Sequence, residues 1–192
     1  MERFAAQGVE SVKVDDICAA ADIAQKTFFN HFPTKQHLVR EIAAGFLQEL
    51  LAILAAARAD GGTTAQQLER FFALIATEVE RGGPVHRGFV LEVIRLAHEQ
   101  APDTEKSRLL YAAFGALLRD GVRAGDITNE YPLPVLSEIV VGTFVTLMLN
   151  WLGFDDYPFR ARATATARFL GDALRARKGL APARRATPRA RR

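Results

Sequence analysis

The chain has 192 residues, 49% of them hydrophobic, and a formal net charge of +3, so it can bury a substantial core in one or two domains. Its single cysteine, Cys18, excludes an internal disulfide framework and suits a reducing cytoplasm. No charged-then-apolar signal peptide opens the sequence, and the most apolar run, Ile139 to Phe154, is too short for a comfortable membrane span, so no membrane partner is expected.

In chain order, Phe4-Ala5-Ala6 followed by Gln7-Gly8 reads as the last turn and glycine stop of a helix. The true start is therefore expected upstream of Met1, where in-frame sequence should supply the rest of that helix. Val14, Ile17 and Ala20 then share one face of a short helix. Ala21 and Asp22 break the pattern, and Ile23 is expected to plug the turn. A second short helix, Ala24 to His31, puts Phe28 and Phe32 on its buried side and leaves Gln25, Lys26, Thr27, Phe29 and Asn30 on the other. Pro33 stops it, because its ring cannot continue the ladder, and Thr34 is a good cap for the next helix. Two short helices joined by a tight turn, the second exposing amide, amine and hydroxyl groups, form a helix-turn-helix. Asparagine and glutamine suit adenine edges, lysine suits guanine or phosphate, and a phenylalanine can meet a thymine methyl.

Asp15-Asp16-Ile17, an alanine-rich turn, and then Thr27-Phe28-Phe29-Asn30-His31-Phe32-Pro33-Thr34-Lys35 resemble the TetR family of transcriptional regulators over about Phe4 to Ile42. The resemblance implies an all-α fold. A helix-turn-helix domain would occupy residues 1–45, with its first helix apparently truncated, and a helical effector-binding and dimerisation domain residues 46–177. It also implies that Thr34 and Lys35 anchor a phosphate, that the amine of Lys13 reaches another, and that His31 donates to phosphate or caps its helix. Four positions depart from the family pattern. Asp22 stands for a turn glycine, which aspartate's tolerance of a left-handed backbone allows. Ala24 replaces a capping serine at a cost of about 1 kcal/mol, Lys13 replaces a capping threonine, and Phe29 replaces a tyrosine whose hydroxyl meets the DNA backbone.

From Thr34 a long helix carries Leu38, Ile42, Phe46, Leu50 and Leu54 at steps of four, a stripe that belongs in a core, and runs out at Asp60-Gly61-Gly62. A helix from about Thr64 to Glu80 is expected to break at Gly82-Gly83-Pro84, with a further helix from Val85 to Glu99. Pro102 and Asp103 open another, which ends at Gly125-Asp126. Pro134 to Leu152 is apolar nearly all round and needs partners on both sides, with Gly142 permitting close approach of a neighbour. A last helix spans Phe159 to about Arg175. In the family, such a pair forms a four-helix interface across a two-fold axis, which implies a homodimer. The last eighteen residues carry +8 and no acid, leaving −5 on the rest, and residues 178–192 read as a disordered tail, either a phosphate clamp or a solubilising remnant.

An apolar chamber with a few polar anchors is expected in the second domain, built from Phe72, His86, Phe89, Tyr111, Phe114, Asn150 and Trp151, although each aromatic taken singly reads as core. Catalysis has no support: there is no glycine-rich phosphate loop, no G-x-S-x-G, no H-E-x-x-H, and no glutamate three residues before any histidine. No cofactor or metal is implied. The function that emerges is sequence-specific binding of a palindromic double-stranded operator, most simply repression released by a small-molecule effector. The alternative is a helical dimeric interaction or ligand-binding protein that keeps the scaffold without binding DNA.

Overall fold

The computed structural model describes residues 12–98 and 105–176, with the side chains of 83–89, 91–98 and 105–108 left aside. Seven helices follow one another among them: α1 (Val14–Ala21), α2 (Gln25–His31), α3 (Lys35–Ala59), α4 (Thr64–His98), α5 (Glu105–Ala124), α6 (Leu133–Gly153) and α7 (Phe159–Leu174). The expected first helix, around Phe4, and the basic tail, residues 178–192, lie outside the described residues.

α3 is shared between two hydrophobic clusters. Leu38, Ile42 and Phe46 pack with Ile17 around the buried Val12, whereas Leu54 and Ala57 belong to the main core and Leu50 and Leu51 pack against it. The row at steps of four is therefore only half-buried until Leu54. The fully buried positions nearer the start are Val39, Ala43 and Leu47, one residue round the helix. The far end of α3 is held from outside. The Arg70 guanidinium of α4 donates to the Ala57 carbonyl at 3.0 Å and also to that of Gly61, and Arg58 meets Asp120 of α5 at 2.7 Å.

The expected break at Gly82-Gly83-Pro84 does not occur, and α4 runs through it for 35 residues. Proline removes one ladder bond and costs about 3 kcal/mol in a helix interior. Burial of Leu68, Phe71, Phe72, Ile75 and Ala76 on α4, which packs chiefly against α3 and α7, anchors the helix on its N-terminal side. α6 has 21 residues, so length does not separate it from a membrane span. One face of it, with Leu136, Val140, Val141, Phe144, Leu147, Met148 and Trp151, is buried in the bundle. Its other face, with Val135, Ile139 and Leu149, is open in the single chain. α3 also meets the length and composition of a span.

The start of α4 is capped from 62 residues away. Asp126, in the loop after α5, accepts from the Thr64 amide at 2.6 Å and from its hydroxyl at 2.9 Å, and Thr64 is buried. The same loop ties down the end of α7, where the Thr128 amide donates to the Leu174 carbonyl at 2.7 Å. Gly121 makes the approach possible, since a Cβ there would lie 2.0 Å from the Thr64 hydroxyl oxygen. Asp126→Ala leaves a buried amide and hydroxyl unpaired, and is expected to cost about 2–3 kcal/mol, lowering Tm by about 5–10 °C. Thermal unfolding by circular dichroism checks this, with Asp126→Asn expected to recover part of the loss. Elsewhere Arg160 of α7 grips Glu80 of α4 in a two-pronged pair, at 2.7 and 2.5 Å. The hydrogen bonds from Arg160 hold the Glu80 carboxyl below its ordinary range. That tie is present above the unfolded carboxyl value and is lost as pH falls through the depressed one.

Candidate nucleic-acid interface and effector cavity

The turn between α1 and α2 rests on Asp22 at φ 52°, ψ 46°, left-handed as expected, with the Ile23 amide closing on the Cys18 carbonyl at 3.0 Å. Ile23 does not plug the turn, being 38% exposed; Cys18 is the buried residue of α1, and Ala20, expected on the inner face, is exposed. The Lys13 amide donates to the Asp16 carboxylate at 3.3 Å, closing half of a capping box whose other half a lysine ammonium cannot supply. Ala24 caps α2 with no side-chain bond.

Phe28 is the one residue of α2 that is fully buried, touching Phe29 edge-on at a centroid distance of 5.3 Å and Phe32 at 5.6 Å. Everything else on α2 faces out: Gln25, Lys26, Thr27, Phe29, Asn30 and His31 are all exposed. Gln25 is partly committed, because its amide nitrogen donates to Asp15 and braces α2 against α1. Thr34 caps α3, its hydroxyl oxygen accepting from the His37 amide at 3.3 Å and lying 2.9 Å from His37 Nδ1. Lys35 is half-buried, and its ammonium donates to the Val12 carbonyl at 3.1 Å, tying the start of α3 to the segment ahead of α1. Between Lys13 and Lys35 three lysines face three aspartates, so any reading of DNA here depends on placed donors and acceptors rather than on a basic patch.

The expected effector chamber is displaced. A cavity of about 370 Å³ opens between α3, α4 and α6, walled by Phe46, Leu50, Ile53, Ile75, Phe144 and Met148, with Trp151, Val79, Val90 and Ala52 completing the apolar lining and Glu49 and Glu78 supplying its charge. Of the seven residues expected there, Trp151 lines it. Phe72 and Phe114 are fully buried beneath, in a cluster of edge-to-face rings with Phe71 and Phe144. Tyr111 packs on that core, and Asn150 lies on another side of α6, in an open groove with Ile139, Gly142, Thr143 and Thr146. The side chains of His86 and Phe89 lie outside the described ones. The stripe of α3 carried the missed signal. Phe46 and Leu50 belong to the stripe read as core, which left no wall for a cavity on that helix, and Ile53, three residues on, stands outside that stripe.

Residues 1–42 match the bacterial regulatory proteins of the tetR family. Over 144 residues the chain is 29% identical to the HTH-type transcriptional repressor KstR2 of Rhodococcus jostii, covering 70% of this chain and 69% of that one. Over 151 residues it is 22% identical to the repressor DhaR of a Mycobacterium species, covering 77% and 75%. Among solved structures, FadR of Bacillus subtilis in complex with stearoyl-CoA superposes with a TM-score of 0.69 at 16% identity over 90% of this chain and 94% of that one. FadR of Thermus thermophilus, a TetR-family repressor in complex with lauroyl-CoA, does so at 0.63 and 19%, over 95% of both.

Proposed function

We propose that this member of the tetR family of bacterial regulatory proteins is a sequence-specific transcriptional repressor that leaves its operator when a small molecule fills the cavity between α3, α4 and α6. The observation that carries the reading is α3 itself. Its first residue, Lys35, ties it to the segment that leads into the helix-turn-helix, through the Val12 carbonyl, and its middle residues, Phe46 to Ile53, wall the cavity. KstR2 and DhaR are repressors by name, and both FadR structures hold an acyl-CoA, which supports a ligand site in the helical body.

The active form is a homodimer through α6 and α7. In one chain Val135 is 40% exposed, Ile139 51% and Phe169 69%, on a face where Gly142 has open space over its Cα. Burying that face against a second copy is favourable at about 25 cal/mol per Å². Two reading helices related by a two-fold axis demand a palindrome whose half-sites lie about one helical turn, or a multiple, apart. Lys26 and Asn30 read bases, Gln25, Thr27 and Phe29 flank them, and Lys13, His31, Thr34 and Lys35 position the head on phosphates.

Gel shifts on DNA flanking the protein's own gene, beside random DNA, test this. Lys26→Ala and Asn30→Ala should relax preference at particular base pairs, each by about 1–3 kcal/mol. Lys35→Ala should weaken all sequences alike and flatten the salt dependence by about one unit of log–log slope. Equal losses on operator and random DNA for every variant, or no shift at all, would leave the non-DNA-binding scaffold as the reading.

A further inference from the structure

We propose that Asp15 and Gln25 act as one unit that selects a cytosine in each half-site and rejects thymine at the same position. Gln25 makes the contact, and Asp15 is the positioning residue. The inference rests on the reading of α2 as the helix that meets base edges, and it gives α1 a share in that task. Gln25 opens α2, where a helix-turn-helix brings side chains to base edges. Its amide nitrogen donates to Asp15 Oδ1, across the turn between the two helices, and both side chains are exposed.

A glutamine free to turn presents a donor and an acceptor side by side, which matches the amine and N7 of adenine. Here the carboxylate decides which end points where. An ionised carboxylate only accepts, so it takes the NH2 end and leaves Oε1 to face a base. Oε1 accepts from a base amine, N4 of cytosine or N6 of adenine. The amide keeps a second hydrogen, but a base acceptor bonded to it would lie within about 5 Å of the charged oxygen, given bond lengths of about 2.9 Å. That proximity disfavours adenine, whose N7 stands beside its amine, and guanine, which offers two acceptors. Cytosine has an amine with no acceptor beside it on its own edge. Thymine places O4 where cytosine places N4, so acceptor would face acceptor. In water an exposed pair of this kind is loose, and it strengthens where the groove displaces water. A carboxylate so close to DNA weakens binding to every sequence. What it returns is discrimination, because specificity is a difference of affinities.

Selection from a library of random duplexes with the full-length protein gives the half-site, and each base pair of the enriched duplex is then substituted in turn. One position per half-site is expected to favour cytosine over thymine by about tenfold or more. Gln25→Ala should bring the two to within about threefold. In Asp15→Ala the glutamine is free to turn, and the preference at that one position should move from cytosine to adenine. Positions relaxed by Lys26→Ala and Asn30→Ala should stay as they are. Asp15→Asn keeps an acceptor for the amide and so preserves the brace between α1 and α2; cytosine should stay ahead of thymine, at a smaller ratio. Asp15→Ala changing affinity equally for all four bases would make Asp15 a charge or a brace and overturn the inference. So would an enriched half-site with no position that prefers cytosine over thymine. Either result leaves α2 as the reading helix, whereas a native protein that enriches no sequence sinks both readings.

Discussion

Phe28→Ala is expected to abolish DNA binding while leaving the unfolding of the helical body unchanged. Phe28 is 2% exposed and is the one side chain by which α2 is anchored inward. Truncating a buried phenylalanine costs about 3–5 kcal/mol. The cluster beneath the reading head is small: among the described residues, Val12, Cys18 and Phe28 are buried ahead of α3, with Val39 and Ala43 at its start. A loss of that size exceeds what such a cluster can hold, so the head opens locally while the main core persists. Trp151 lies in the main core, far along the chain from the head, and its fluorescence melt should move by less than about 1 °C. The contrast is Phe29→Ala. Phe29 is 47% exposed, so its removal should leave the head folded and alter affinity for particular sequences only. If Phe28→Ala still shifts operator DNA at native protein concentration, α2 is not the element that reads it.

The head was legible in the sequence because its signals are local. A proline, a threonine cap, two phenylalanines four apart and an aspartate in the turn each act within a few residues; of the nine residues expected to contact DNA, eight are exposed and Lys35 is half-buried. What the sequence did not reveal is how those polar groups are already engaged. Gln25 reaches Asp15 ten residues back, and Lys35 reaches Val12 twenty-three back, and neither pairing has a sequence signature. The helical body divided in the same way. Helix existence and most ends followed from apolar spacing, but Gly82-Gly83-Pro84 misled: the helix runs on through it, anchored ahead of the glycines by buried Leu68, Phe71, Phe72, Ile75 and Ala76. The cavity was the least legible feature. Composition says that phenylalanines are abundant, not which ones stack into a solid core and which leave a gap. Phe72 and Phe114 filled space, and Phe46, a residue of the α3 stripe, lines the gap.

Phe46 also carries the second large expectation, that its truncation uncouples ligand from DNA. It lines the cavity, and it packs with Leu38, Ile42 and Ile17 around Val12, whose carbonyl holds Lys35. It is thus a wall of the proposed effector site and a member of the head's own cluster. The far end of α3 is fixed by Arg70 and by the Arg58–Asp120 pair, so a ligand that displaces the middle of the helix must move the near end, where the head sits. Release requires a ligand that prefers the displaced arrangement; tight binding to both arrangements releases nothing. A hundredfold preference corresponds to about 2.7 kcal/mol, and by reciprocity operator DNA must weaken the ligand by the same factor. Trp151 titrations of an apolar nine-carbon probe, 1-nonanol, with and without operator, should therefore give dissociation constants that differ by about a hundredfold in the native protein. Phe46→Ala should keep probe binding within about tenfold, since Trp151, Phe144 and Met148 remain, yet reduce the ratio below about ten. Equal constants with and without operator in the native protein would show that the probe is no inducer. A native-sized ratio in Phe46→Ala would place the coupling elsewhere along α3.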